Sequence, residues 1–188
     1  MTDAFHNYYE GLQARLLQHG YAVAGEQFPF KRLSDIDRAL RFVRVRTDGT
    51  QFLVTRGCAP HTRNSKFKSE FIIATEEPQK YFVDLINFAA YFHLTYRDIL
   101  MTDVLEIGST FDVTRDYSHI YASMPYFLPP EINSIEVGTV TCCLTWLMPI
   151  RHFEAEYIAK HGADAFEAKL EHFALDFFAD RSDPSYLD

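Results

Sequence analysis

A His-x-Glu triplet is the first pattern in the sequence that could do chemistry. His152-Phe153-Glu154 has the spacing found in zinc deaminases, where the histidine binds the metal and the glutamate transfers protons. That chemistry also needs a Pro-Cys-x-x-Cys pair of thiolate ligands, which this sequence lacks, and the adjacent Cys142 and Cys143 lie upstream in an apolar run. We therefore predict no metal site here and expect His152 to lie exposed on a helix face.

Other residues of catalytic type occur singly or in pairs. Cys58 and His61 share a turn-rich loop, but a reactive thiol also needs a third group that orients the histidine and surroundings that lower the thiol pKa. Glu76 and Glu77 are adjacent near a predicted strand end, where neighbouring side chains face opposite ways, so we expect a solvated turn. The sequence contains no phosphate-binding loop, dinucleotide-binding motif or nucleophile elbow. We predict no catalytic activity and no cofactor.

Three cations make residues 61–68 a candidate recognition loop. The segment HTRNSKFK carries Arg63, Lys66 and Lys68, and binding residues are concentrated on loops. An ordinary charged surface is the simpler explanation of the same residues. We predict that Arg63, Lys66 and Lys68 contact a partner.

Aromatic residues make 116–127 a second candidate surface. Tyr117, His119 and Tyr121 recur at alternate positions of a predicted strand, and Phe127 follows. Half-exposed tyrosines suit protein interfaces because they bury a large area at a low cost in conformational entropy. We expect Tyr117, His119 and Tyr121 to contact a partner, and packing against a central helix is the competing interpretation.

A single domain over residues 1–188 must position these side chains. The chain is 47% hydrophobic and 15% aromatic, which is typical of a folded globule. Periodicity and turn residues predict, for the first half of the chain, a helix over 1–19, an extended segment over 21–30, a hairpin about Asp48-Gly49 with one solvated face, a strand over 71–77 and a buried helix over 78–94. For the second half they predict a short strand or turn over 103–108, a strand within 119–132, an interior strand over 137–148, a helix that follows Pro149 and runs to about 161, another helix after Gly162 and a polar, mobile tail over 180–188. This order indicates a mixed α+β layer fold.

Charge is distributed unevenly along the chain. The net charge is −8, and residues 95–188 carry 6 Lys/Arg against 16 Asp/Glu, a net charge of −10. An acidic surface disfavours nucleic acid and anionic membranes as partners and suits a basic protein. A solvated acidic surface that only keeps the protein soluble is the alternative.

Targeting signals and cysteines bear on where the protein acts. No apolar run is long enough to span a bilayer, and the N-terminal segment lacks the basic and apolar regions of a signal peptide. The three cysteines are odd in number and two are adjacent, so we expect reduced thiols. These features predict a cytoplasmic protein.

The segment around Pro149 belongs to a longer series of blocks. In chain order these are SEFIIATEEP, DVLEIGSTF, YFLPPEI and TWLMPIRHFEAEYIAKHGADAFEAKL. In order and spacing they resemble the suppressor of fused domain family over roughly residues 20–183. The last block is the sharpest match, with Trp146 in an apolar strand, Pro149 after it, Glu154 five residues beyond the proline and Gly162 thirteen beyond it.

This last block is interpreted as architecture rather than as an active site. We expect Trp146 to lie in the core, and Pro149 to fix the entry to a helix, where a missing amide donor costs nothing. Glu154 is expected to interact with the positive N-terminal end of that helix or with nearby backbone. Gly162 is expected to let the chain turn into the next helix.

The resemblance implies a fold and a class of function. It implies a mixed, mostly antiparallel β-sheet flanked by helices, with no catalysis. Larger animal relatives are cytosolic regulators that hold a transcription factor through a peptide strand. Compact bacterial relatives of this length look like immunity proteins of contact-dependent or secreted polymorphic toxin systems. The segment HIYASMPYF, richer in tyrosine than the family pattern, leaves the partner open.

Three hypotheses follow for the function. The first is a cytoplasmic immunity protein that binds and neutralises a cognate, basic toxin acting in the cytosol. The second is a cytosolic regulator or adaptor that binds a peptide by strand addition. The third is an enzyme of unrecognised type that uses His61, His119 or Glu154.

Overall fold

A computed structural model describes residues 3–27, 41–46, 51–64, 66–75, 80–107, 117–172 and 181–188. The predicted Asp48-Gly49 turn and the pair Glu76 and Glu77 lie outside these residues. The elements are α1 (Asp3–Gln18), β1 (Ala22–Gln27), β2 (Arg41–Arg46), β3 (Gln51–Arg56), β4 (Phe67–Thr75), α2 (Lys80–Thr95), β5 (Val104–Glu106), β6 (Tyr117–Ser123), α3 (Pro130–Asn133), β7 (Ser134–Val137), β8 (Val140–Arg151), α4 (His152–His161) and α5 (Ala163–His172), with short 3₁₀ helices at Ala59–His61 and Pro184–Leu187.

The strands form one mixed sheet in the order β1-β2-β3-β4-β8-β6-β5, with β7 also paired to β8. Among the described pairings, six are antiparallel and one, β4 with β8, is parallel. The predicted mixed, mostly antiparallel sheet flanked by helices is therefore confirmed. β8 has partners on both sides, as its continuous apolar sequence predicted.

Helices cover both faces of the sheet. Leu85, Ile86 and other apolar residues of α2 pack on one face, and α1, α4 and α5 contribute to the cluster on the other. β3 shows the consequence, because Phe52 and Val54 enter one cluster while Leu53 enters the other. The prediction that one face of the β2–β3 hairpin is solvated is wrong for β3, since a strand pattern cannot reveal the helices packed above it.

A buried carboxylate joins α1, β3 and β4. Glu70 on β4 has no exposed surface. Its two oxygens accept hydrogen bonds from Tyr9 Oη, Thr55 Oγ1 (2.6 Å) and the backbone amides of Gly57 (3.0 Å), Cys58 (3.2 Å) and Ala59 (2.8 Å). Burial raises the pKa of Glu70 above its ordinary value, while these donated bonds oppose the rise. The carboxylate thus satisfies the amides of a chain reversal that begins at Gly57, where φ is +130°.

A buried histidine ties the same loop to α2. The Ile99 amide donates to His93 Nδ1 at 3.0 Å, so Nε2 carries the proton and donates to Thr62 Oγ1 at 3.1 Å. His93 is fully buried, and burial lowers its pKa to about 4. The neutral imidazole therefore has a structural task that its place in the last turn of an apolar helix did not reveal.

The segment around Pro149 differs from the sequence prediction in one respect. Pro149 lies in β8, opposite Ile120 of β6, and α4 begins at His152. The predicted helix after Pro149 is present, but the prediction that Pro149 fixes its entry is wrong, because the proline belongs to β8 and the helix begins three residues later. Its carbonyl instead accepts a 2.7 Å bond from the guanidinium of Arg181. Trp146 is buried in the core as predicted.

Glu154 is the second buried carboxylate and fixes the start of α4. Its Oε2 accepts the Arg151 amide at 2.6 Å, so it bonds nearby backbone at the helix N-terminus as predicted. Its Oε1 accepts from Arg181 Nε at 2.7 Å and from Tyr186 Oη at 2.5 Å. Gly162 ends α4 with φ at +87°, and its amide donates to Ile158, which confirms the predicted turn.

These bonds also correct the prediction of a mobile tail over 180–188. Arg181 and Tyr186 are buried, and the residues from 181 to 188 pack against α4 and α5. The polar composition suggested mobility because the buried acid that pairs with Arg181 lies 27 residues away in the sequence. An ion pair across that separation leaves no local sequence pattern.

Replacing Glu70 with glutamine tests its structural role. The new amide group must face backbone donors wherever it points, so we expect Glu70→Gln to lower the free energy of unfolding by about 3 kcal/mol. Urea denaturation followed by circular dichroism measures this. Glu10→Gln, at an exposed glutamate on α1, is the control and should change stability by less than about 0.5 kcal/mol. Equal stability of both variants would contradict the role.

The low pKa of His93 predicts a pH dependence of stability. An unfolded histidine binds a proton near pH 6.5, whereas folded His93 binds one only near pH 4. Unfolding is therefore favoured as the pH falls through this window, by up to about 3 kcal/mol from this group. Urea denaturation at several pH values should show that His93→Gln flattens this slope. The exposed His152→Gln is the control, and an unchanged slope in His93→Gln would assign the effect elsewhere.

Candidate functional site

An open groove lies between β5 and α4. Its volume is about 540 Å³. Its lining comes from residues before and within β5 and from β6 and α4, and includes Asp103, Val104, Glu106, His119, His152 and Glu156. The groove brings together residues that lie far apart in the sequence.

Carboxylates dominate the charge of this groove. Glu106 and Glu156 are exposed, and His152 Nε2 lies 3.4 Å from Glu156 Oε1. Asp103 is paired with the Arg97 guanidinium at 2.6 Å. The two exposed glutamates therefore leave a negative surface that suits a cationic group.

Two imidazole rings lie side by side within the groove. His119 on β6 and His152 on α4 stack with centroids 5.7 Å apart. Burial lowers the pKa of His119, nearby Glu106 opposes this shift, and nearby His152 adds to it. The Nδ1 atom of His119 lies 2.7 Å from Ser118 Oγ. No cluster of three or more metal-ligating side chains occurs in the described part of the chain. The rings are suited to stacking and hydrogen bonding with a polypeptide.

β5 is also at one end of the sheet order. The Asp103 carbonyl accepts from β6 and the Ile107 amide donates to β6, each at 2.9 Å. Because backbone groups alternate along a strand, the amides and carbonyls of Val104 and Glu106 face away from β6. They form a short sheet edge beside the groove.

The structure separates the three aromatic candidates on β6. His119 lines the groove, but Tyr117 stacks on Tyr81 of α2, because a register irregularity between residues 117 and 119 turns them to different faces. Tyr121 has no exposed surface and donates its hydroxyl to Glu167 at 2.7 Å. The prediction that Tyr121 contacts a partner is therefore wrong, since strand alternation cannot distinguish a face covered by α5 from an open one.

The three cations of the 61–68 loop lie outside the groove. Arg63 donates to the carbonyls of His93 and Leu94 at 2.9 and 3.2 Å, where it stabilises the negative C-terminal end of α2. Lys68 donates to the Thr62 carbonyl at 2.6 Å, and Lys66 is exposed. Arg63 and Lys68 thus have structural tasks, and their roles as partner contacts stay a prediction.

The remaining candidates for chemistry are embedded in the fold. Cys58 has no exposed surface, and burial together with nearby Glu70 raises its thiol pKa well above the ordinary value. That environment suppresses the reactive thiolate. The side chain of His152 is 72% exposed, as the sequence predicted.

Sequence reasoning missed the acids of the groove. Asp103, Glu106 and Glu156 are 53 positions apart at the extremes and belong to no motif. The surplus of acids after residue 95 was their only signal. Their meeting depends on the pairing of β6 with both β5 and β8, which brings β5 close to α4.

Comparison with known proteins shows which family the chain is similar to. The model of the family described as suppressor of fused protein (SUFU) matches residues 37–181. No curated protein matches the chain. In the described residues, no helix is long and apolar enough to cross a membrane.

Solved structures agree in fold. A suppressor of fused homolog from Neisseria gonorrhoeae superimposes with a TM-score of 0.72 at 17% identity, over 93% of this chain and 94% of that one. The Sufu–Fu complex gives 0.57 at 14% identity, over 89% and 85%. Drosophila Suppressor of Fused gives 0.54 at 12% identity, over 74% of this chain but only 39% of its own length. With the family model matching most of its length, the chain belongs to the suppressor of fused family.

Proposed function

We propose that this protein is a non-catalytic immunity protein that binds a cognate secreted or contact-dependent toxin in the cytosol and blocks its active site or substrate groove. The observation that carries the proposal is the acidic groove between β5 and α4, with exposed Glu106 and Glu156. A toxin that acts on nucleic acid needs a basic surface to bind it. An acidic groove on this protein is complementary to such a surface.

The state of the buried polar residues supports a binding role. Glu70, His93 and Glu154 are each held in hydrogen-bonded networks that join elements of the fold. Cys58 is buried with a raised thiol pKa. These four buried residues of catalytic type thus serve the structure, whereas the open groove presents a charged surface of the kind that recognises proteins.

Occlusion by an acidic surface has a kinetic consequence. Opposite charges steer two proteins together and raise the association rate, and salt weakens this effect. A toxin must be neutralised before it reaches its target, so fast association suits an immunity protein. No reacting group is needed for this mechanism.

Charge reversal in the groove tests the mechanism. The product of the neighbouring open reading frame should be toxic alone and harmless when this protein is co-expressed. The double variant Glu106→Lys/Glu156→Lys should weaken binding at least about tenfold, mainly through a slower association rate. Surface plasmon resonance at two salt concentrations measures the rates.

A charge-matched control separates the groove from net charge. Glu10→Lys/Glu131→Lys changes the same number of charges at exposed positions outside the groove and should bind within about threefold of the wild type. Equal losses in both double variants would show that the groove has no special role. If no neighbouring gene is toxic without this protein, the immunity function itself is wrong.

A regulator that binds a peptide by strand addition is the second candidate function. The outward backbone groups of Val104 and Glu106 favour it, because an edge strand offers unpaired donors and acceptors to an added strand. A similar fold is present in the crystal structure of the Sufu–Fu complex.

Proline at the sheet edge distinguishes the two modes of binding. Glu106→Pro removes an amide that faces away from β6, together with the side-chain charge, whereas Glu106→Gln removes the charge alone. Strand addition predicts that the proline variant binds the partner about tenfold more weakly than the glutamine variant. Equal affinities of the two variants would indicate occlusion by the surface alone. Circular dichroism of both proteins checks that the fold is retained.

A further inference from the structure

The turn before β5 contains a strained residue. Among described non-glycine residues, Thr102 alone has a positive φ, at +71°. This backbone region disfavours β-branched side chains, and glycine or asparagine usually occupies it. Strained residues of this kind are concentrated at functional sites, where the surrounding structure holds them. The strained backbone of Thr102 therefore makes this turn a candidate functional segment.

Several bonds hold this turn in place. The Asp103 amide donates to the Leu100 carbonyl at 3.1 Å, and the Asp103 carboxylate accepts from the Leu100 amide at 2.9 Å. Thr102 and Asp103 both bond to Ala122 of β6, at 2.7 and 2.9 Å, so two residues oppose one in a β-bulge. The surrounding bonds hold Thr102 in this strained conformation, and the bulge changes the direction of the chain opposite the end of β6.

The turn presents apolar side chains to solvent. Leu100 is 48% exposed and Met101 is 36% exposed. The bonds to Ala122 place them beside the exit of β6, where Met124 is 50% exposed and Tyr126 is 47% exposed. We call Leu100, Met101, Met124 and Tyr126 the apolar corner. Two methionines make such a surface adaptable, because the side chain is unbranched and polarizable.

Acids flank the apolar corner on the side of α5. Glu167 Oε1 accepts a bond from Ser123 at 2.8 Å, and Ser123 Oγ lies 3.2 Å from the Tyr126 hydroxyl. Burial, with nearby Glu167 and Glu171, raises the pKa of Tyr126 to about 12. Glu171 is exposed. On the opposite side, Arg97 is already paired with Asp103.

We propose that the apolar corner is a docking surface for a basic, amphipathic segment of a partner protein, whose apolar side chain packs among Met101, Met124 and Tyr126 while its cations face Glu167 and Glu171. This rests on the proposed function and names a surface for it. A second copy of this chain is a poor occupant, since each copy has a net charge of −8 and would bring like charge to the acids. A basic segment satisfies both the apolar side chains and the acids.

A random-peptide phage library provides a probe that does not depend on a toxin. Panning should enrich peptides that combine Lys or Arg with Leu, Met or Phe, and fluorescence anisotropy gives their affinity. Met124→Glu should weaken binding at least about tenfold, because it places a charge in the apolar contact. Leu17→Glu, at a leucine of α1 that is 55% exposed, is the matched control and should bind within about twofold of the wild type.

The peptide and self-association measurements distinguish a docking surface for a basic segment from the alternatives. Enriched peptides without cations, or equal binding by Met124→Glu and the wild type, would overturn the proposal. Light scattering over a concentration series detects self-association, and a dimer that Met124→Glu abolishes would assign the corner to a second copy instead. Failure of the peptides while a toxin still binds the groove would overturn this inference alone, whereas absence of any toxic neighbour would overturn only the immunity function.

Relief of the strain gives an independent measurement. Glycine adopts a positive φ without penalty, so Thr102→Gly should raise the thermal midpoint by about 3 °C. A more flexible turn should also hold Met101 less firmly and weaken the enriched peptides at least about threefold. A variant that gains stability and keeps full affinity would separate the strained turn from binding and contradict its role in the docking surface.

Discussion

The buried carboxylate of Glu70 is the interaction on which the rest of the structure depends. It accepts bonds from α1, from β3 and from three successive amides of the loop after β3, so one side chain links these three segments to its own strand, β4. An unpaired carboxylate in this place would be severely destabilising, since a buried charge needs donors on both oxygens. The donors explain why an acid can lie within β4, directly before its apolar residues. Because β4 pairs with β8, this arrangement also holds the centre of the sheet.

Glu154 has a comparable structural role in the first turn of α4, just beyond the C-terminal end of β8. It bonds the first turn of α4 and, through Arg181 and Tyr186, holds the C-terminal residues against that helix. α4 forms one wall of the groove, so this buried acid positions the exposed acid Glu156 two residues later. The two kinds of carboxylate have different consequences. The buried ones build the scaffold, and the exposed ones give the scaffold a surface that attracts cations.

Sequence patterns predicted the elements better than their surroundings. The periodicity of α1 and α2 and the apolar run of β8 gave correct types, because each signal is local. Pro149 was expected to fix the entry to a helix, yet it lies in β8. The cost of proline in a strand depends on whether its missing amide would have bonded to a neighbouring strand, and sequence alone does not reveal that. Tyr121 and the C-terminal residues were misjudged because α5 and Glu154 cover them, and such contacts lie 27 to 46 positions apart. The groove could not be predicted either, because its residues also lie far apart in the sequence.

The groove, the sheet edge and the apolar corner meet at one segment. Thr102 lines the groove and is the strained residue of the turn. Asp103 pairs with Arg97, and its amide and carboxylate both bond to the backbone of Leu100 at the start of the turn. A partner bound along this segment would therefore contact backbone, acids and apolar side chains in succession. Each kind of contact alone is weak in water, but a rigid turn presents them without further ordering. A strained residue is retained more readily where such rigidity contributes to recognition, which connects the stability of the turn to the function proposed for it.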